Sequence, residues 1–412
     1  MKIKFTLLPI LVLIIFGSSL MAQRGFFIPA GSKSVDIPFE LNNNFIILQI
    51  LVNGRLPLRF ILDTGAGHTL LTKKEVASFL NLKYERSFQV LGSDLSKPVT
   101  AYLAKGVRFD LPDKISASKE DILVLDEDFF HFEEYSGITV QGILSASIFS
   151  RYIMKINYDR NLLTLYDRAF FDARDVKGYS GFPIQLFRDK PYFYTELTMS
   201  ADSVVPVKLL LDTGASMPLL LFADTHPMLK PPPTAIPANI GFGLGGDLSG
   251  FTGRIKSLDI GQHKQQNIVT YFQVLDTIID TLAANHRNGL IGNGILNRFV
   301  VIFDYQDEKV WFKPSKKFKE AFVFDRSGIS VILSGENMNT YIVQNVIPNS
   351  PASEMDIQKG DRILKLGRKP ALLLSLSGIM HRLQGRPGKK VKLTIERNGN
   401  KIKKEIILRD LL

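Results

Sequence analysis

The chain contains no cysteine, a single tryptophan and six histidines in 412 residues. Without cysteine it forms no disulfide, offers no thiolate to a metal or a substrate, and carries no lipid on an N-terminal cysteine. Other catalytic signatures are missing too. HExxH and Gly-x-Ser-x-Gly do not occur, so the helical zinc-hydrolase and nucleophile-elbow readings fall away. No uninterrupted apolar run reaches the ~20 residues of a membrane-crossing helix. Helical periodicity is scarce before the last quarter of the chain. What is left is a β-rich chain whose reactive groups are carboxylates, hydroxyls and amines.

Hydrophobic content of 45% with 22% charged residues is ordinary for a globular protein. The length suggests about three domains at ~150 residues each. Net charge is +11, and from Glu320 onward sixteen Lys/Arg stand against nine Asp/Glu. A solvated, lysine-guarded strand edge is the first reading of that excess, and attraction to acidic peptides or anionic surfaces the second. Aromatic residues are not interleaved with the basic ones, which argues against nucleic acid as a partner. At the N-terminus, Lys2 and Lys4 precede the apolar stretch from Phe5 to Phe16, broken by Thr6 and Pro9, and Gly17-Ser18-Ser19-Leu20-Met21-Ala22 follows. We expect residues 1–23 to be a secretory signal, with a retained anchor as the other reading. Removal would leave a periplasmic or secreted chain that met the membrane only through its leader. An exported chain without disulfides fits a Gram-negative-type bacterium.

Asp63-Thr64-Gly65-Ala66 recurs as Asp212-Thr213-Gly214-Ala215, 149 positions on, each after an apolar strand-like run. Three further landmarks repeat in the same order. Gly92-Ser93-Asp94-Leu95-Ser96 returns as Gly245-Gly246-Asp247-Leu248-Ser249, Val124-Leu125-Asp126 as Val274-Leu275-Asp276, and Gly142-Ile143-Leu144-Ser145 as Gly289-Leu290-Ile291-Gly292. One such tetrapeptide says little; an ordered series carried twice indicates duplication. Two half-sites that face each other would bring two carboxylates together, which share a proton because both cannot ionise at contact distance. Such a pair is one acid and one base, the combination that activating water against an amide requires.

Strand and turn signals fill residues 34–313, with Asn53-Gly54 a hairpin turn and Lys73–Leu80 a short helix candidate. We read mainly β structure in two lobes, 34–170 and 180–314, joined near 168–182. Pro231-Pro232-Pro233 reads as a stiff surface excursion. The acidic run from Asp126 to Glu134 has a single histidine and interleaved phenylalanines, and reads as a solvated loop with apolar anchors rather than a metal cluster.

The paired turns, each followed by an apolar-apolar-Gly element, resemble the pepsin and retropepsin superfamily of aspartic proteases, with DTGA nearest the retropepsin-like branch. The resemblance covers about residues 34–313 and implies two homologous β-barrel lobes forming a pepsin-like pseudo-dimer. It implies that Asp63 and Asp212 hold the attacking water, that Thr64 and Thr213 cross-link the turns beneath the carboxylates, and that Gly65 and Gly214 shape the turns, followed by Ala66 and Ala215. By the same resemblance the stretches from Gly92 to Tyr102 and from Gly241 to Gly253 occupy the flap positions. Gly92, Ser93, Asp94, Gly245, Gly246 and Asp247 are the flap candidates there, and Tyr102 the candidate flap tyrosine. Two departures stand out: Ser145 replaces the expected glycine of lobe one, and alanine after each DTG lacks a hydroxyl that would favour the ionised carboxylate. The second departure predicts a mildly acidic to neutral optimum.

After Trp311-Phe312-Lys313-Pro314 the pattern changes. Ser350-Pro351-Ala352 followed by Gly360-Asp361-Arg362-Ile363, with a helical stretch near 374–384, resembles a PDZ domain of the α+β type over 320–412. The resemblance implies that Ser327, Gly328, Ile329 and Ser330 form a loop receiving a peptide's terminal carboxylate, that the peptide adds as a strand, and that the helix from about Ser375 to Leu383 forms the other wall, with His381 a candidate for side-chain selection. Together these readings describe an exported aspartic endopeptidase acting on peptides or unfolded proteins, with a PDZ groove that captures peptide C-termini or regulates access. The other reading is a catalytically silent peptide-binding scaffold. No cofactor and no metal are expected.

Overall fold

The computed structural model describes residues 25–91, 98–199, 203–243, 246–274 and 287–412. Two eight-stranded sheets dominate and share one strand order. In the first the order is Glu40–Asn42, Phe45–Val52, Leu56–Asp63, Gly142–Ser145, Leu70–Leu71, Ile115–Leu125, Pro98–Leu111, Tyr84–Leu91. In the second it is Gln185–Phe187, Lys190–Thr198, Val204–Leu211, Gly289–Ile291, Leu219–Phe222, His263–Gln273, Gly246–Ile260, Ile236–Gly243. Each sheet also pairs back on itself, Leu51–Val52 with Phe109–Asp110 and Leu197–Thr198 with Ser257–Leu258, so both curl into barrels. The duplication read from four landmarks thus extends to every strand.

A six-stranded sheet joins the lobes, in the order Ser34–Pro38, Leu162–Tyr166, Ile153–Asn157, Phe299–Asp304, Lys309–Pro314, Ser180–Pro183. At its centre Ile153–Asn157 pairs antiparallel with Phe299–Asp304. Lys155 faces Ile302, its own counterpart 147 positions on, so the internal two-fold axis passes through this pair. The core runs through both lobes without a break and includes Phe26, Phe60, Phe109, Phe149, Phe299, Phe303 and Phe312. Phe26 is fully buried and stacks on Phe149 at 5.0 Å, so the residues just before the first strand belong to the lobe. Leader residues 1–23 lie outside the described residues.

Local chemistry explains the turns. Asn53 and Gly54 both take left-handed φ angles, +51° and +64°, the geometry that lets a tight hairpin follow the strand twist. The acidic run differs from a plain loop: Phe132–Ser136 is a short helix, and Lys73 and Lys74 pair with Asp126, Asp128 and Glu133. Among the described residues no helix is long and apolar enough to cross a membrane.

The last sheet runs Ile329–Ser334, Thr340–Val346, Arg362–Leu366, Lys390–Arg397, Asn400–Ile407, with Ile329–Ser334 at an edge. Helix Leu376–Leu383 starts where the Ser375 hydroxyl accepts from the Gly378 N–H at 3.1 Å, and packs Leu376, Ile379 and Leu383 into this second core. Asp361, 1% exposed, is held by Arg397 through Nε at 2.7 Å and Nη2 at 2.8 Å. The tether back to lobe two is pinned by Arg298, whose guanidinium reaches backbone carbonyls of Lys317 and Ala321 and lies 3.6 Å from the Phe322 ring centre.

Candidate active site

Each Asp-Thr-Gly-Ala turn follows a buried strand, Leu56–Asp63 or Val204–Leu211, that pairs in parallel with the later apolar-Gly element of its own lobe. The chain therefore leaves the sheet at the lobe interface, where the turns meet back to back. The threonines lock them. Thr64 Oγ1 donates to the Leu211 carbonyl at 2.6 Å and accepts from the Thr213 N–H at 3.0 Å. Thr213 Oγ1 donates to the Leu62 carbonyl at 2.8 Å and accepts from the Thr64 N–H at 3.0 Å. Both threonines are buried, so four hydrogen bonds cross the interface out of reach of water.

Above this lock the carboxylates converge. The Gly65 and Ala66 N–H groups donate to Asp63 Oδ1 at 2.6 and 3.0 Å, and the Gly214 N–H donates to Asp212 Oδ1 at 2.8 Å. A methyl group on Gly65 would lie 2.8 Å from the Asp212 carboxyl carbon, and one on Gly214 2.3 Å from that of Asp63. Glycine is required because each carboxylate rests against the opposite turn. The two side chains are within mutual hydrogen-bonding reach. Burial first, then the charge of Asp212, holds the Asp63 carboxyl well above the usual carboxylate range. Burial also raises Asp212, but the Arg287 guanidinium and the hydrogen bond from Asp63 oppose the rise. Both carboxyls are thus raised by burial and stand close enough to share one proton as a pair. The upward direction agrees with the expectation drawn from Ala66 and Ala215, yet its leading cause is burial, not a missing hydroxyl.

Ser145 is accommodated. Its hydroxyl donates to the Ala66 carbonyl at 2.7 Å and its N–H donates to Thr69 Oγ1 at 3.1 Å, buttressing the first turn. In lobe two a side chain at Gly292 would meet the Met217 carbonyl oxygen at 2.2 Å, so only there is glycine obligatory. A second asymmetry lies beneath. Tyr158 donates to Asn293 Oδ1 at 2.7 Å, and Asn293 Nδ2 donates to the Thr213 carbonyl at 2.6 Å. The two-fold mates are Tyr305 and Ala146, and the buried Tyr305 hydroxyl has no partner among the described residues. Ala146→Asn should supply one and raise stability by about 1 kcal/mol. Denaturant unfolding measures the gain; a destabilised variant would show that the two sites are not spatial equivalents.

The flap candidates divide. Gly92, Ser93, Asp94 and Gly245 lie outside the described residues. Gly246 and Asp247 begin the strand Gly246–Ile260, which pairs with Ile236–Gly243, and Leu91 pairs with Pro98, so both hairpins exist up to their tips. Tyr102 is placed elsewhere: its hydroxyl faces Asp126 Oδ1 at 3.4 Å, its ring packs on Tyr84, and Lys74 lies 4.7 Å from the ring centre. Among the described residues no hydrogen bond ties it to the carboxylate pair. The PDZ loop is engaged internally. Asp325 accepts from the Ser327 N–H and hydroxyl and from the Gly328 N–H, while the Ile329 N–H donates to Ser327 Oγ and Ser330 is already paired within the strand, opposite Asn345. His381 is exposed, beside a shallow basic depression lined by Arg326, Arg382, Arg386 and Lys389.

Sequence reasoning missed two cations. Lys190 follows a left-handed turn at Arg188 and Asp189 that reaches across to lobe one. A methyl group on Gly67 would lie 3.7 Å from Lys190 Cε, and the Lys190 charge acts on both aspartates. Burial lowers the Lys190 pKa, with Arg287 next. Arg287 hydrogen-bonds Tyr192, and its buried Nε has no partner among the described residues. The signal was present in the repeat. Strand register makes Lys190 the repeat counterpart of Phe45 and Arg287 that of Val140, so lobe two carries charge where lobe one is apolar.

Residues 48–148 match the family model described as aspartyl protease, and residues 326–408 match that of the PDZ domain. No curated protein matches the chain. Solved structures to which it is similar include an aspartic proteinase from Irpex lacteus, with 13% identity, 70% of this chain and 99% of that chain covered, and a TM-score of 0.44.

Proposed function

We propose that this chain, which carries an aspartyl protease-like domain and a PDZ domain, is an exported aspartic endopeptidase. The observation that carries the reading is the buried carboxylate pair seated on interlocked turns, each carboxylate resting against the opposite turn. Asp212 accepts a proton from a water lying between the two carboxyls. The hydroxide attacks the peptide carbonyl while protonated Asp63 donates to its oxygen, giving a tetrahedral diol. Return of a proton to the amide nitrogen lets the C–N bond break. The fixed N–H donors from Gly65, Ala66 and Gly214 hold the carboxylates without reorganisation as charge moves. Export rests on the leader sequence alone.

The test is a peptide library digested across pH by the chain lacking residues 1–23, beside Asp63→Asn and Asp212→Asn. Cleavage that both variants lose, blocked by a statine-type inhibitor, supports the reading; binding without cleavage at any pH sinks it. The cations beside the pair add a preference. Peptides with Asp or Glu next to the scissile bond should be cleaved about tenfold faster, as one charge-assisted hydrogen bond allows. Lys190→Met should erase the preference. Because Lys190 lowers both carboxyl pKa values, its removal should also move the pH–rate profile upward. An unchanged profile would show that its charge does not reach the pair.

A further inference from the structure

A PDZ groove receives a peptide as an added strand between an edge strand and a helix. Here those walls are Ile329–Ser334 and Leu376–Leu383. The groove is not open to solvent along its length. Helix Phe132–Ser136 of lobe one packs on Ile329–Ser334, and Gly137, which ends it with φ +66°, sits between the walls. A methyl group on Gly137 would lie 3.3 Å from Leu333 Cδ1 on one side and 3.3 Å from Leu376 Cβ on the other. Tyr135 Oη accepts from Gln344 Nε2 at 3.1 Å, securing the helix to the strand behind the edge. At the other end the Asp325 carboxylate takes the loop N–H groups that a peptide's terminus would use.

The same segment reaches the active site in two short steps. Asn43 Nδ2 donates to the Ser136 carbonyl at 2.6 Å. Its neighbour Asn44 donates through Nδ2 to the Ser216 carbonyl at 3.0 Å, two residues past Gly214, and accepts from Asn297 Nδ2 at 2.9 Å. Both asparagines hold left-handed φ angles, which fix the turn that presents them. Phe132 packs edge-on against Phe45, the first residue after that turn, at 5.6 Å.

We propose that the occupant of the PDZ groove is this chain's own segment 132–137. The groove then works as an internal dock that braces the second active-site turn through Asn43 and Asn44. A free peptide ending in an apolar residue must displace the segment to bind, and displacement releases the brace. Groove and cleft are thereby coupled, and the dock-filled state is the one with the carboxylates assembled.

The absence of native cysteine makes a direct test available. In Gly137→Cys with Leu376→Cys the β-carbons would lie near the ~3.5–4.5 Å that a disulfide spans. Mild oxidation of the full chain should form the bridge, read as a mobility shift on a non-reducing gel. A pool of fluorescent hexapeptides ending in Val, Leu or Phe should bind Tyr135→Ala at least tenfold more tightly than the parent chain, and the oxidised double variant not at all. Gln344→Ala, which leaves the segment's own residues untouched, should loosen the dock in the same direction. Failure of the bridge to form in a cooperatively folded double variant overturns the proposal. Equal peptide binding by the parent and oxidised forms overturns it as well, as does binding to none of the variants. None of these readouts needs hydrolysis, so they fail separately from the proposed protease activity. The brace itself rests on that activity: Asn43→Ala should lower kcat about tenfold with KM little changed, and an unaltered kcat would remove the coupling.

Discussion

Asp63→Asn is expected to lower kcat by about 10²–10⁴-fold while making the protein more stable at neutral pH. The first effect follows from the loss of the proton donor, since an amide can neither give up nor share that proton. The second follows from the upward shift of the Asp63 carboxyl by burial and by Asp212. The folded chain binds a proton more tightly here than the unfolded chain, so between the ordinary carboxylate value and the raised one the native state holds more protons. Stability contributed by this group is complete at low pH and is lost as pH rises through that window. Asparagine has no charge to bury and should escape the loss. Thermal unfolding of both proteins at pH 4 and pH 7 measures it: the variant's midpoint should exceed the parent's at pH 7, and the gap should shrink at pH 4. Asp212→Asn should cost a similar factor in kcat with a smaller stability gain, because Arg287 already offsets its burial. Equal gains from the two variants would mean that the proton has no preferred seat.

Thr213→Val carries the second large effect. Valine keeps the shape but removes a donor to the Leu62 carbonyl and an acceptor for the Thr64 N–H. Both stranded partners lie in the buried interface, and each unsatisfied buried group costs about 1–3 kcal/mol. A loss of roughly 2–6 kcal/mol follows, large beside the ~5–15 kcal/mol of a typical domain. Thr64→Val should cost as much. The double variant should cost less than their sum, since each single change already damages the shared lock. Urea unfolding of the four proteins gives the coupling directly. Strict additivity would show that the two hydroxyls act independently, contrary to the crossed geometry.

Much of this site could be read from residue order, because the repeat is local. Asp63-Thr64-Gly65 and its copy name the carboxylates, the lock and the close approach within a few positions. Lys190, Arg287, Asn43 and Asn44 escaped because their importance arises from turns that cross between lobes, and no short motif encodes which loop lands opposite which. Tyr102 shows how a contact can escape a motif. Its place in the hairpin suited a flap role, but Lys74 and Asp126 draw the ring toward the hairpin's base. In the C-terminal domain, Ser350-Pro351-Ala352 and Gly360-Asp361 carried the resemblance to a PDZ domain, while the helix cap at Ser350 and the buried ion pair of Asp361 emerged only from the structure. The plug in the groove comes from residues nearly two hundred positions upstream, joined to it only by the folded chain.

The six-stranded sheet shared by the lobes has a mechanical implication. Besides the covalent connection near 168–182, a backbone ladder joins the halves at Lys155 and Ile302. A clamshell motion about that seam would have to shear a continuous ladder, which resists opening far more stiffly than a flexible hinge, so the two halves act as one rigid body.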